Sequence, residues 1–374
     1  MILRKQSPIN SPLLGLVASV GGLLILGLLM LCSCCLGVLN SAFFFKQLLW
    51  VVVGLGACAL VANTDYRRLD KQAVAWGLIM IIVVCLVLVL IPGLGRKTNG
   101  ARRWLMGFQP SEFAKPALVI LLAHYCTAHL HGMRERGVGF LLPMAIIGLV
   151  SSLIFLQPDW GTAGLIAMVG TMMLVFAGTR LSYLVIGWIM ALEVFLIALC
   201  RDPHRLARVV SFLDPERSQD SITWQPWNGI LALGCGAWTG VGWFEGHLKM
   251  GFIPEHHTDF ILPVIGEELG LVGTWGVLFA FIGLVACGIR IAWRGPDAFG
   301  QFLAAGLTFS IGCQALVNIG AATSSIPNKG MPLPFISYGG SSMISTLMSI
   351  GLLISVARAL RPRRDSVECT EALP

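Results

Sequence analysis

Ten apolar segments of membrane-spanning length constrain the fold of this chain more than any other feature. They cover residues 12–39, 48–64, 73–91, 110–130, 138–157, 163–178, 181–199, 260–289, 298–321 and 339–360. About 20 apolar residues in a helix cross the hydrocarbon core of a bilayer. The segments are continuous and do not alternate at period two, so the sequence predicts transmembrane helices rather than strands.

The composition supports one membrane domain. Charged residues make up only 12% of the chain, whereas soluble domains carry about twice that fraction. The predicted fold class is therefore an all-α polytopic membrane protein, with a cytoplasmic N-terminus (1–11), a single ten-helix membrane domain (12–360) and a basic cytoplasmic tail (361–374). The first apolar run is too long for the core of a signal peptide. Basic loops of a membrane protein usually report its orientation, and no basic run is interleaved with base-stacking aromatic residues in a soluble module, so nucleic acid is not an expected partner.

Most of the 11 cysteines lie in apolar runs, where they behave as small hydrophobic residues. A metal site at the cluster of Cys32, Cys34 and Cys35 is not expected, because no histidine or acid lies beside these residues. Pairing of Cys200 with Cys235 is left open by the sequence.

Basic residues predict the orientation. If the N-terminus is cytoplasmic, every inner connection carries Arg or Lys, as the positive-inside rule requires. One outer loop, residues 92–109, breaks the rule, because it carries Arg96, Lys97, Arg102 and Arg103 without an acid. Two interpretations stay open: a tolerated exception, or cations that bind an anion such as the phosphate of a lipid head group.

The connection between the seventh and eighth segments, about 200–259, is the only long one. Its second half is rich in Gly and Trp and too broken to span a bilayer, so it is expected to lie at the interface or to re-enter. It ends in PEHHTDF, where Asp259 is either a general base whose pKa is raised by desolvation, or, like Thr258, a helix cap. Glu255 and His257 there are either ligands of a cation or solvated loop residues.

Other polar residues of the outer side are also candidates. Glu112 and Lys115 lie three residues apart on one helix face, either as a structural ion pair or in a wet cavity. Glu267 and Glu268 point in different directions, so at most one is expected to face the cavity of Asp259. The run IPNKGMPLPFISYGGSS, with Lys329 as its cation, is too rich in Pro and Gly for a helix. It is expected to form a loop, and Gly339 and Gly340 open the last helix, whose amides favour anions.

Five motifs in one order along the chain resemble the SEDS (shape, elongation, division, sporulation) family. They are GRKTNGARRWL, QPSEFAKP, QPDWGTA, PEHHTDFILPVIGEELGLVG and NIGAATSSIPNKGMPLPFISYGGSS. The resemblance covers roughly residues 10–360, and the sequence around Lys329 is more similar to the FtsW-like division branch than to the RodA-like elongation branch. The chain departs from the family pattern at Pro263, which is expected to kink the eighth span.

The resemblance implies a peptidoglycan glycosyltransferase that polymerises lipid II at the outer face of the bacterial cytoplasmic membrane. It implies that Asp259 deprotonates the acceptor hydroxyl and that the anomeric carbon is inverted. Cations stabilise the leaving pyrophosphate. The expected substrate-binding residues are Arg96, Lys97, Arg102, Arg103, Trp104, Glu112, Lys115, Lys329, Ser337, Gly339 and Gly340. Supporting roles are expected for Glu255, His257, Thr258, Glu267 and Glu268.

The resemblance also implies partners. These are lipid II and undecaprenyl-pyrophosphate-linked glycan, a class B penicillin-binding transpeptidase, other divisome proteins and membrane lipid. A divalent cation, Mg²⁺ or Mn²⁺, stays open as a cofactor. Two alternatives to the enzyme remain: a lipid II flippase and a division scaffold without catalysis. A flippase needs polar groups through the whole depth of the membrane, whereas the inner halves of most segments are bare apart from Glu193 and His124. Glu193 is expected to form hydrogen bonds inside the bundle or to lie on a proton path.

Overall fold

A computed structural model of the protein describes residues 10–37, 41–98, 101–202, 206–207, 209, 212, 224–247, 249, 258–327 and 330–360. The described helices are α1 (Asn10–Gly37), α2 (Ser41–Asn63), α3 (Gln72–Leu90), α4 (Pro110–Ala128), α5 (Leu142–Leu156), α6 (Trp160–Phe176), α7 (Leu181–Arg201), α8 (Trp224–Cys235), α9 (Ile261–Trp293), α10 (Ala298–Ala322) and α11 (Gly340–Ala359). A π-helical turn, Gly137–Leu141, leads into α5. Short 3-10 turns, Tyr66–Asp70 and Leu130–Gly132, follow α2 and α4.

The protein is a multi-pass membrane protein, as the apolar segments predict. Within the described residues, eight helices are long and apolar enough to cross a bilayer: α1, α2, α3, α5 with its π-helical turn, α7, α9, α10 and α11. The other two predicted spans correspond to α4, which carries the charged pair Glu112 and Lys115, and to α6, which has 17 residues. Each of the ten predicted spans therefore corresponds in position to a helix. That α4 and α6 cross the membrane stays a prediction.

Helices α4, α10 and α11 lie at the centre of the bundle. α11 packs mainly against α2, α9 packs against α10 and α1, and α4 contacts α3, α6 and α10. Their buried faces carry Ala, Leu and Val together with a minority of polar residues that are fully buried. By contrast, α7 is exposed along most of its length, and Glu193 on it is exposed. The expectation that Glu193 forms hydrogen bonds inside the bundle is wrong, because α7 lies at the periphery.

Two local features differ from the expectations. The segment predicted as a cationic loop, residues 92–109, contains two strands: β1 (Gly95–Thr98) and β2 (Ala101–Leu105) pair as an antiparallel hairpin with a bulge after Arg96. The kink in α9 lies at Gly270, with φ 66° and ψ −160°, and not at Pro263. Pro263 lies in the first turn of the helix, where a missing N–H breaks no hydrogen bond.

The long connection contains α8 and a chain of turns over residues 236–247. These turns contact α9, and the helix itself packs on α9 and α10. Cys200 and Cys235 are both free, exposed thiols. Much of the rest of this connection, including Glu255 and His257, lies outside the described residues.

Candidate functional site

Asp259 lies in the turn that leads into α9, with its side chain half-buried. Its backbone carbonyl accepts a hydrogen bond of 3.0 Å from the side-chain amide of Asn318 on α10. The same nitrogen donates to the carbonyl of Met331 at 2.6 Å. The N-cap of α9 is Phe260, so neither Thr258 nor Asp259 occupies the cap position. One amide therefore joins the backbone of the candidate base to the loop before α11.

A second tie joins the same two segments. The Ser337 hydroxyl donates to the carbonyl of Thr258 and accepts from the amide of Leu333 at 2.8 Å. Gln47 on α2 donates to the Ser337 carbonyl at 3.3 Å and accepts from the Gly339 amide at 3.2 Å. Irregular backbone inside a membrane domain requires such partners, because lipid offers none.

The loop that these contacts hold in place approaches the carboxylate of Asp259. Gly330 has φ +62°, and a Cβ atom there would lie 3.1 Å from Asp259 Oδ2. A side chain at this position would be strained and would also press on the carboxylate. Phe260, Val317 and Met331 line a narrow crevice beside Asp259. The aspartate thus lies between α10 and the Pro/Gly-rich loop.

The Glu112–Lys115 pair on α4 belongs to the same network. Lys115 Nζ lies 2.7 Å from Glu112 Oε2 and 2.7 Å from Gln314 Oε1. Both charged side chains are buried, at 7% and 4% exposure. Gln314 donates its own amide to the carbonyl of Pro332 at 2.9 Å. Because Gln314 and Asn318 are four residues apart, one face of α10 binds the loop twice.

The hairpin presents the cations predicted to bind an anion. By backbone register, Lys97 pairs with Arg102 and Arg96 with Trp104. The side chains of Arg102 and Trp104 are half-buried. Arg103 differs, because its guanidinium donates to the carbonyls of Gln157, at 3.4 Å, and Pro158. It satisfies carbonyls at the C-terminal end of α5, so a positioning role accounts for this side chain.

The hairpin also connects to the N-terminal end of α11. The Gln109 amide donates to the Ser341 hydroxyl at 3.0 Å, and the rings of Phe108 and Phe113 lie 4.7 Å apart. Gly340 opens α11 beside the ring of Trp50. The end of the hairpin, the start of α11 and the loop before it therefore form one continuous region with Asp259.

Glu267 and Glu268 take no part in this region through the contacts described. Both are fully buried, and both accept hydrogen bonds from the turns that follow α8. Both carboxylates are therefore enclosed by the turns after α8 rather than directed at Asp259 by any contact described. Their role as support for the site stays a prediction.

Several predicted site residues lie outside the described residues or have side chains outside them. These are Lys329, Glu255 and His257, and the side chains of Arg96 and Lys97. Within the described part of the chain, no group of three or more His, Cys, Asp and Glu residues is suited to hold a metal ion. A divalent cation as cofactor stays a prediction.

Sequence reasoning missed the amides Gln47, Gln314 and Asn318 and the buried Lys249. A signal was present, since uncharged amides inside apolar spans are costly unless they find partners. Gln314 and Asn318 lie within a predicted span, Gln47 lies one residue before another, and all three are at most 3% exposed. What the sequence did not reveal is that their partners are backbone groups of the site loops.

Comparison with known proteins gives a consistent family. A family model described as "Cell cycle protein", FTSW_RODA_SPOVE, matches residues 14–362. A probable peptidoglycan glycosyltransferase FtsW of Trichlorobacter lovleyi is 38% identical over 327 residues, 86% of this chain and 85% of the relative. The protein of the same description from Legionella pneumophila is 34% identical and covers 94% of this chain and 93% of its own length.

Solved structures agree with this result. One similar structure is a chain described under "Structural coordination of polymerization and crosslinking by a peptidoglycan synthase complex". Its TM-score is 0.76 at 29% identity, and the match covers 93% of this chain and 98% of that chain. The rod shape determining protein RodA of Thermus thermophilus has a TM-score of 0.68 at 28% identity, covering 93% and 97%.

Proposed function

Because the chain belongs to the FtsW/RodA/SpoVE family of cell cycle proteins, we propose that it is a membrane peptidoglycan glycosyltransferase that acts in cell division. The substrate is lipid II, and the product is a β-1,4-linked glycan strand that stays attached to undecaprenyl pyrophosphate. The relatives named above are probable glycosyltransferases of this kind. The helical bundle, the FtsW-like motifs and the structural likeness all support this activity.

In the proposed reaction, the Asp259 carboxylate takes the proton from the acceptor sugar hydroxyl. The oxygen then attacks the anomeric carbon of the donor, the bond to the lipid pyrophosphate breaks, and the α-linked sugar becomes β-linked. A base on the acceptor and positive charge near the leaving group are the requirements of this chemistry. The observation that carries the proposal is the attachment of the turn at Thr258 and Asp259 to the loop before α11. Asn318 joins the carbonyls of Asp259 and Met331, and the Ser337 hydroxyl donates to the carbonyl of Thr258.

The cations of the hairpin are proposed to bind the pyrophosphate. Arg102 is half-buried, and a guanidinium binds phosphate in a bidentate manner. Lys115 already has two partners, Glu112 and Gln314. It therefore acts by holding the loop through Gln314 unless the substrate displaces one of these contacts.

The location and the partner follow from the same proposal. The protein lies in the cytoplasmic membrane with both termini in the cytoplasm, and the site opens on the outer side. Basic inner connections support this orientation. A class B penicillin-binding transpeptidase is the proposed partner, because a similar chain belongs to a complex that coordinates polymerization with crosslinking.

A polymerisation assay with purified protein and labelled lipid II tests the proposal. The wild type, Asp259→Asn and Asp259→Ala are compared with and without the transpeptidase and with and without Mg²⁺ or Mn²⁺. Asp65→Asn is a matched control, since Asp65 is an exposed cap of the 3-10 turn after α2 and asparagine also caps well. We expect polymer from the wild type and the control and none from the Asp259 variants. Full-length polymer from folded Asp259→Ala protein contradicts the proposed mechanism.

The same assay separates the flippase and scaffold alternatives. The substrate is supplied in detergent, where transport across a bilayer plays no part. A transporter or a scaffold yields no polymer under these conditions, whatever residue occupies position 259.

A further inference from the structure

Helix α9 is broken in its first half, and another segment provides hydrogen-bond partners for the backbone groups at the break. Gly270 is non-helical, so residues 261–269 form a short helix that begins directly after the turn containing Asp259. The turns after α8, residues 236–247, run alongside the break. Four backbone hydrogen bonds join them to it: Val241 N to Glu267 O at 2.9 Å, Gly242 N to Glu268 O at 3.3 Å, Leu271 N to Ala237 O at 2.9 Å and Val272 N to Trp238 O at 3.2 Å.

A buried ion pair lies at the end of this short helix. Lys249 Nζ contacts Glu268 Oε1, and their side chains are 1% and 0% exposed. The Ser33 hydroxyl of α1 lies 2.6 and 2.8 Å from the two Glu268 oxygens, and Lys249 Nζ lies 2.7 Å from the same hydroxyl. We call Lys249, Glu268 and Ser33 the buried anchor.

The turns add further contacts to the same two acids. The Phe244 amide donates to Glu268 Oε2 at 3.3 Å, and its carbonyl accepts from Lys249 Nζ at 3.1 Å. The His247 amide donates to Glu267 Oε1 at 2.7 Å. Three separate parts of the chain therefore meet at Glu268: α1, the turns after α8 and the broken helix.

A buried ion pair is a costly way to stabilise a protein. Desolvation offsets most of the attraction, so neutral side chains of similar size are often as stable. What the pair does provide is a fixed geometry, because each charge has to find its partner. In this protein, the ion pair fixes the position of Glu268, near the C-terminal end of the short helix 261–269. Asp259 lies in the turn just before the N-terminal end of the same helix.

The short helix transmits position between its two ends. Residues 261–269 span about 13 Å at 1.5 Å per residue. The end next to Asp259 is held by Asn318 and Ser337, and the other end is held by the buried anchor. A shift of Glu268 therefore displaces the turn that contains Asp259.

We propose that the buried anchor is a positioning unit for the reaction, and this rests on the proposed function of Asp259. Lys249, Glu268 and Ser33 touch neither substrate nor reacting atoms. They set the position of the base through residues 261–269, so their loss lowers the turnover number more than it weakens substrate binding.

The test is the double variant Lys249→Met with Glu268→Gln, which removes both charges and leaves no unpaired one. The kcat and KM of the full-length protein are measured with lipid II, together with its melting temperature in detergent. Misplacement of a reacting group by about 1 Å costs on the order of 10²-fold in rate. We expect kcat to fall by roughly 10- to 100-fold, while KM stays within about twofold, because the hairpin cations are untouched.

The matched control is Tyr66→Phe with Asp297→Asn. It also removes a polar pair between distant segments, since the Tyr66 hydroxyl donates to Asp297 at 2.7 Å. Asp297 lies just beyond the other end of α9 from Asp259. We expect this control to keep the kcat of the wild type.

Two results overturn the role of the buried anchor. One is wild-type kcat in the Lys249→Met, Glu268→Gln variant. The other is a parallel loss of kcat, substrate affinity and melting temperature, which indicates a structural role alone. Wild-type turnover by Asp259→Asn refutes the proposed function instead, so the two failures are distinguishable.

Discussion

Replacement of Asn318 by alanine tests how the site is assembled. The change removes the two hydrogen bonds that join the carbonyls of Asp259 and Met331. A buried carbonyl without a donor costs about 1–3 kcal/mol. Met331 is buried, so its carbonyl is left without a donor. Asp259 is half-buried, so water partly replaces the hydrogen bond that its carbonyl loses. We therefore expect a loss of about 2–4 kcal/mol in the free energy of unfolding.

The effect on catalysis is expected to exceed what this stability loss explains. Without the amide, the turn at Asp259 is no longer held to the loop, and a displacement of about 1 Å costs on the order of 10²-fold in rate. Asn318→Asp keeps the volume of the side chain but removes both donated hydrogen bonds, so it separates volume from hydrogen bonding. We expect it to be at least as inactive as Asn318→Ala.

Unfolding is followed by melting in detergent, and turnover by lipid II polymerisation below the melting temperature of every variant. The control is Asn63→Ala, because Asn63 is exposed and its side chain contacts Arg358 at 2.6 Å. An exposed substitution of this kind changes stability by about 0.5 kcal/mol or less. If folded Asn318→Ala protein polymerises lipid II at the wild-type rate, the idea that this amide positions the base is refuted.

Further predictions concern the hairpin and the opposite end of α9. Arg102→Gln is expected to raise the KM for lipid II by roughly tenfold, the loss of one charge-assisted contact, with little change in melting temperature. Arg103→Gln is expected to lower the melting temperature, because the carbonyls at the end of α5 lose their donor. If Arg102→Gln and Arg103→Gln change KM and melting temperature equally, this distinction is contradicted. Burial alone would raise the pKa of Asp297, but hydrogen bonds from Tyr66, a backbone amide of α10 and Arg67 outweigh it, so the pKa of Asp297 lies below its usual range. The stabilisation that this carboxylate provides is therefore present above about pH 4 and lost as the pH falls through its lowered pKa. We expect Asp297→Asn to flatten the acid side of a plot of melting temperature against pH, and an unchanged acid side would contradict the pKa argument.

Much of the fold was predictable because its determinants are local. Apolar runs predicted the helices to within a few residues at most ends, since a backbone in lipid has to satisfy its hydrogen bonds within one segment. The start of α4 at Pro110 and the ion pair of Glu112 with Lys115 also follow from sequence spacing. The hairpin of residues 95–105 was not predicted, because its strands of four and five residues are too short for a periodic signal.

The site was predictable only in part. The residues Asp259, Ser337 and Gly339 were identified from their motifs, and the structure brings the backbone of all three together. The motifs did not show that Glu268 pairs with a lysine rather than approaching Asp259. The motifs also do not distinguish Arg103 from the other hairpin cations, although its guanidinium donates to backbone carbonyls.

The sequence alone determined three properties: the chain folds into helices of membrane-spanning length, its charges collect in the connections, and Asp259 is the candidate base. The helices and the charge distribution depend on composition and on spacing within one helix, whereas Asp259 is recognised from its motif. The tertiary structure decided which polar groups meet. Ser33 binds Lys249 across 216 residues of chain, and Asn318 binds Asp259 across 59. In an interior without water, a buried polar group binds whichever partner the packing of helices brings within reach, and no local pattern encodes that choice.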